Sequence, residues 1–324
     1  EFMIDRYGFP RVAALLPLWG QGVATPEVIQ RGLGVSADAL DAAFRAALQP
    51  RLARYQSAFT VTPSAYHDRA ALTRAAEADP QNANAQAAAA AAALFDGDAT
   101  AAAALAERSV RLDARVALAR WVRARVALEQ RQGRDALEEL DELFRANLDG
   151  YGLRLMEALA ARAARDDRRV EAALTAAVRF DPLQHEAHRA LAGLYQRTHR
   201  DAERLRALRE VVRLDQHDRE ALGELVEALV AARGWAELHA LREHANHLDP
   251  EGVAVHLALA HAAYETGDAN AAVFEYESAL ALAPSNAAAI RARVEAVRRG
   301  QRGLARIEAP ARAPAARGSG DGGA

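Results

Sequence analysis

A short punctuation mark, most often Asp-Pro, recurs along this chain at a nearly constant interval, and it constrains the fold more than any other feature. The marks fall at Asp79-Pro80, Asp113-Ala114, Asp149-Gly150, Asp181-Pro182, Asp215-Gln216, Asp249-Pro250 and Ala283-Pro284. Their spacings are 34, 36, 32, 34, 34 and 34 residues, so six repeats fill 204 residues and the register returns after one irregular pair. Proline suits a helix start, where no backbone N–H is needed, and aspartate can cap the helix that follows. Each interval holds two stretches with helical apolar spacing. Neither helix can bury its stripe alone, so each pair must lean on the next.

The clearest copy is DPEGVAVHLALAHAAYETGDANAAVFEYESALALAP, residues 249–284, with a corner at Gly267-Asp268. Small residues stand where two helices would cross, Ala260 and Ala263 on the first and Ala272 and Ala279 on the second, with Tyr276 on the same face as Ala272. This pattern resembles the tetratricopeptide repeat (TPR). The resemblance implies an all-α fold, a right-handed α-solenoid of about six TPR-like helical hairpins in residues 81–284. Expected buried sets are Leu191, Ala192, Tyr195, Leu208 and Val211 in the fourth repeat. In the fifth they are Leu222, Leu225, Val226, Leu229, Leu238 and Ala245. The second and third repeats depart from the pattern at Gly133-Arg134 and at Asp149-Gly150-Tyr151-Gly152, which predicts a kink or a locally altered superhelix there.

Residues 1–56 do not follow the repeat. Glu1-Phe2 ahead of Met3 reads as a cloning scar. A short helix is expected at Arg11–Leu16, ended by Pro17, then one opened by Thr25-Pro26-Glu27, then one capped by Ser36 with Leu40, Phe44 and Leu48 on its buried face. The run DRYGFPRVAALLPLWGQGVATPEVIQRGLGVSADALDAAFRAAL resembles the last helices of gluzincin-type (peptidase MA-like) metallopeptidase domains fused to TPRs, through its Arg-Tyr-Gly-Phe turn and Leu-Gly-Val-Ser helix start. That resemblance implies a catalytic His-Glu-x-x-His helix before Met3, outside this chain. Residues 57–80 read as a transition helix or partial repeat, and 285–300 as a capping helix with Ile290, Val294 and Val297 inward. Residues 301–324, ending APARAPAARGSGDGGA, are expected to be disordered.

The 324 residues carry a net charge of −3, so the total charge points to neither nucleic acid nor an anionic membrane. All basic residues are arginine. There is no cysteine, which excludes disulfides, thiolate catalysis and Cys-ligated metal. No apolar run approaches the roughly 20 residues of a membrane-spanning helix. The compartment is left open: periplasmic or secreted if the peptidase resemblance holds, otherwise cytoplasmic. His185-Glu186-Ala187-His188 lacks the i, i+4 spacing of a zinc-peptidase helix, and His239, His244 and His247 read as surface histidines. Glu138-Glu139 and Asp141-Glu142 read as a solvated face. No catalytic residue, metal site or cofactor is expected.

Binding is the expected work. The first helix of each pair should line the concave side, where an extended peptide or a partner protein would lie, self-association being another use. By offset from the marks, that face carries Trp121, Arg125 and Glu129, then Arg189, Gln196 and Arg197, then Glu220, Glu224 and Glu227, and last His261 and Tyr264. Trp121 with Arg125 is expected to be exposed, as in a binding hot spot, or else to fill space between alanine-rich repeats.

Overall fold

The computed structural model describes residues 1–55, 57–282 and 284–308. Among these residues regular structure is helical; the sole β-type pairing is an isolated parallel bridge, Ala58 with Asp149. The described residues divide into two compact units, the first ending at Arg169 and the second beginning at Val170.

The first unit opens with α1 (Phe2–Tyr7), α2 (Phe9–Ala13), α3 (Leu16–Gly20), α4 (Thr25–Leu33) and α5 (Ala37–Leu52). Leu15, Val28, Leu33 and Leu40 form their core. Ser36 caps α5 by accepting from the Ala39 N–H at 3.1 Å. Three details differ from expectation, the third being Phe44, which was expected on the buried face of α5. Pro17 sits in the first turn of α3 and so begins a helix. Thr25 is already helical, and its hydroxyl accepts from Trp19 Nε1 at 3.2 Å instead of capping. Phe44 lies at the surface, edge-on to Phe2 at 5.5 Å.

The repeats follow α6 (Arg69–Ala78). Their first helices are α7 (Ala83–Phe95), α9 (Ala117–Glu129), α11 (Tyr151–Ala163), α13 (His185–Arg197), α15 (Arg219–Ala231), α18 (Val253–Glu265) and α20 (Ala287–Arg298). Their second helices are α8 (Ala99–Leu112), α10 (Gly133–Arg145), α12 (Asp167–Phe180), α14 (Asp201–Leu214), the broken pair α16 (Trp235–Ala240) and α17 (Arg242–Leu248), and α19 (Ala269–Ala281). Every first helix starts 34 residues after the previous one, and so does every second helix. The 36 and 32 spacings therefore belong to the mark and not to the fold. Asp149 stands two residues ahead of its helix, whereas the other corner aspartates stand four ahead.

The aspartate itself is displaced because it serves another purpose. Its N–H donates to Ser57 O at 2.9 Å, and Phe59 N–H donates to its carbonyl at 2.7 Å. Gly150, at φ 156°, lets that strand-like segment approach; a Cβ there would stand 3.2 Å from Phe59 O. The corner aspartates are also not helix caps. Asp113, Asp181 and Asp215 each accept from the N–H two residues on, at 2.9–3.1 Å, which turns the chain ahead of the helix. Capping passes to Asn82 and Asp218 for first helices and to Asp98, Asp166 and Asp268 for second helices.

Between the two helices of each hairpin one residue adopts the left-handed conformation: Gly97, Arg131, Arg165, His199, Arg233 and Gly267, at φ 54–88°. Only the first and last are glycine, so most of these corners carry no sequence signal. Gly133 has a different role. A Cβ on it would stand 2.5 Å from Ala160 O and 2.7 Å from Ala164 N, backbone atoms of α11 and its end. Gly133→Ala, which on an open helix would be favourable by up to about 1 kcal/mol, is expected here to lower stability by about 1–3 kcal/mol. Urea denaturation checks this, and an unchanged or higher midpoint would refute the close approach.

The predicted cores are present. In the second unit Leu191, Ala192, Leu208, Val211, Leu222, Leu225, Val226, Leu229, Leu238 and Ala245 are buried, with Tyr195 partly so. A last cluster joins Leu257, Ala260, Ala263, Ala272, Tyr276 and Ala279 to Ile290, Val294 and Val297 of α20. The chain then departs from expectation. Residues 301–308 hold no helix, yet Leu304 and Ile307 pack on this cluster. The remainder of the predicted disordered tail, 309–324, lies outside the described residues.

Candidate partner-binding face

In the second unit, α15 and the start of α18 flank a groove of about 1130 Å³. Glu220, Glu224 and Glu227, spaced i, i+4, i+7, fall on one side of α15 and line it together. Val226, Val230, Val255 and Ala258 supply apolar lining, and Arg306, Ile307 and Glu308 border the space. The three carboxylates are unequally committed. Glu224 accepts from Arg204 at 3.2 Å, and Glu220 lies 3.7 Å from Arg189, whose other arm pairs with Asp218. Glu227 is exposed and has no ion partner among the described residues. Gln196 and Arg197 are exposed on α13, where Arg197 donates to Gly193 O at 3.1 Å; they do not line this groove.

His261 and Tyr264 meet the chain's own end. His261 is buried, edge-on to Trp235 at 4.9 Å and stacked near Tyr264 at 6.1 Å, and this burial lowers its pKa. Tyr264 Oη donates to Gln301 O at 3.1 Å and accepts from the Leu304 N–H at 3.2 Å. Arg293 donates to Ala305 O, and Asn286 Nδ2 donates to Glu308 O at 2.9 Å. Both residues were expected to face an open concavity; instead Tyr264 holds the backbone of residues 301–304, and His261 shares a space with Leu304, Ala305 and Arg306.

In the first unit, Trp121 is 9% exposed, which corrects the expectation of an exposed hot spot. Its ring stands 5.8 Å from Phe95, which in turn stacks on Tyr66 at 6.1 Å. The space-filling reading is the correct one: alanine leaves a gap that an aromatic row occupies. Arg125 lies over the Trp121 ring at 5.9 Å and reaches Glu129 at 3.9 Å, so this pair alone of the three remains accessible.

Of the acidic pairs of α10, Glu138 is exposed as expected, but the others are not a solvated face. Glu139 is buried and paired to Arg120 at 3.1 Å and Arg123 at 2.8 Å, while Asp141 pairs with Arg169. Arg169 and Arg154 both reach buried Glu157, at 2.9 and 2.8 Å, and Arg154 grips Asp149 with two bonds of 2.6–2.7 Å. An equivalent couple exists in the second unit. Glu275 is fully buried; its Oε2 lies 2.7 Å from His256 Nδ1, and its Oε1 accepts from Asn246 at 2.7 Å. The other ring nitrogen, His256 Nε2, faces Pro250 O at 3.0 Å. With acceptors on both sides the imidazole favours its charged form, and its pKa is raised, chiefly by Glu275 and against the cost of burial.

Arg120 and His256 occupy the same place in their repeats, the fourth residue of the first helix, and Glu139 and Glu275 the same place in the second helix. That signal was available: a charged residue recurring at inward register on both helices. His188, also fourth in its helix, meets no such carboxylate, and burial lowers its pKa. Among the described residues no group of three or more His, Cys, Asp or Glu could hold a metal ion, and no helix is long and apolar enough to cross a membrane.

No protein-family model and no curated protein matches the chain. The resemblance of residues 3–56 to metallopeptidase termini thus stands on its sequence turns alone. Solved structures do match. The chain is similar to YrrB, described as a TPR protein with an unusual peptide-binding site, at 15% identity and TM-score 0.42 over 69% of this chain and 97% of that one. It is similar to a tetratricopeptide repeat protein from Parabacteroides merdae at 11% identity and TM-score 0.43, over 71% and 91% of the two chains. MamA from Desulfovibrio magneticus matches at 18% identity and TM-score 0.44, over 55% and 96%. The architecture is an all-α array of TPR-like hairpins, as the helix register itself states.

Proposed function

We propose that the chain is a scaffold that binds another polypeptide on the first-helix face of residues 170–324, without chemistry of its own. The carrying observation is the α15–α18 groove: an apolar lining beside three carboxylates in a row, open to solvent. Such a surface suits an extended segment with alternating aliphatic and basic side chains, since the pockets take the first and the carboxylates the second. Arg189, Gln196 and Arg197 would extend the face along α13, and Arg125 with Glu129 would serve the first unit.

Selection of displayed random octapeptides against the full chain tests this. Arginine flanked by aliphatic residues is expected to be enriched, and the triple variant E220K/E224K/E227K is expected to lose those peptides. Enrichment that ignores the triple variant, or no enrichment at all, would refute the assignment.

A further inference from the structure

Residues 301–308, QRGLARIE, form no helix, yet they are not free: other parts of the chain hold their backbone and bury two of their side chains. Four of their backbone groups, Gln301 O, Leu304 N–H, Ala305 O and Glu308 O, are held by side chains from elsewhere: Tyr264, Arg293 and Asn286. Clamps on main-chain atoms recognise an extended chain through groups any sequence would offer. Side-chain selection is added by Leu304 and Ile307, which pack on the cluster of Leu257, Ile290 and Val294. Between them Arg306 borders the space lined by Glu220, Glu224 and Glu227, and it has no ion partner among the described residues. By the repeat register a second helix would begin near residue 303, but Gly300 and Gly303 are both left-handed, at φ 69° and 70°, and direct the chain elsewhere.

We infer that residues 301–308 are an internal occupant of the partner-binding groove, and that its external ligand is an extended polypeptide segment of like chemistry, aliphatic–x–arginine–aliphatic, which must displace them. The inference rests on the binding role proposed above. A tethered competitor reduces apparent affinity by the fraction of time it leaves the site, so a segment bound nine-tenths of the time weakens binding about tenfold. Residues 306–308 border the groove without filling it, which leaves the three carboxylates accessible for first encounter.

The test uses a fluorescent QRGLARIE peptide and the full chain, read by anisotropy. L304S/I307S changes only the internal segment, and L304P, which removes the Leu304 N–H bonded to Tyr264, is the second releasing variant. Circular dichroism establishes that each stays helical. Both are expected to bind the peptide roughly tenfold more tightly than the unaltered chain, and adding E224K/E227K to either is expected to abolish the gain. Equal affinity in released and unaltered chains overturns the internal occupant while leaving the binding role intact. No binding to any of them, with helicity preserved, overturns both. Concentration-dependent self-association of the released variants in place of peptide binding would make a second copy the occupant, and overturns the inference.

Discussion

Trp121→Ala is expected to lower the stability of residues 1–169 by about 3–5 kcal/mol, the usual cost of deleting a large buried aromatic. The ring is nearly covered and abuts Phe95 at 5.8 Å, in a region where the neighbouring first helix contributes alanine from Ala87 to Ala93. Backbones already that close leave little room to collapse into the void, so the cavity term should be high in its range. Arg125→Ala, which removes only a cation at 5.9 Å from the ring, should cost about 1 kcal/mol or less. Urea denaturation of both variants decides the matter. If Trp121→Ala unfolds at the unaltered midpoint yet loses a bound peptide, the tryptophan is a contact residue after all.

The second large effect concerns Glu275. Glu275→Ala removes the acceptor facing His256 Nδ1 and strips partners from Asn246 and Arg242, leaving buried polar groups unsatisfied, so a loss of about 2–5 kcal/mol is expected. Glu275→Gln keeps the shape and isolates the charge. The pair's contribution has a definite pH sense. Because the folded His256 pKa lies above its ordinary 6.5, the stabilisation is complete below that value and is lost as pH rises through the raised one. The facing groups are Glu275, Arg242, Asn246, Asp249 and the Pro250 carbonyl, and Asp249 acts in the same direction as Glu275. His188 and His261 are shifted the opposite way by burial, but they are common to both proteins and cancel in the difference. The gap in stability between the unaltered chain and Glu275→Gln should therefore be larger at about pH 5.5 than at about pH 9. A gap independent of pH would show that the pair is neutral.

Much of the fold could be read because each repeat spends its apolar residues the same way: Leu222, Leu225, Val226 and Leu229 announce a buried stripe without reference to anything distant. The capping helix was equally plain, since Ile290, Val294 and Val297 share one face. What the reading missed lies between elements. Asp149 looked like the regular mark, but its position answers to residues 57–59, some ninety residues away in sequence. Trp121 was left between two readings, exposed or space-filling, because offset counting does not register how thin the neighbouring helices are. Glu220, Glu224 and Glu227 could be grouped from sequence because helical spacing alone aligns them, and they line one groove together. His261 and Tyr264 come from the same offset counting, but residues 301–308, which lie against them, have a composition that predicts no structure at all. Its order comes from bonds to its backbone, which composition does not encode.

The unbroken interval between helix starts carries an evolutionary consequence. Removing or duplicating a block of 34 residues, wherever the cut is made, restores phase at the junction, so the array can lengthen or shorten by whole modules. A single-residue deletion inside a helix instead rotates everything beyond it by about 100° and turns an inward stripe toward water. Insertions and deletions in such a chain should thus be tolerated chiefly in one quantum, which fits left-handed residues that differ from hairpin to hairpin while their 34-residue spacing does not.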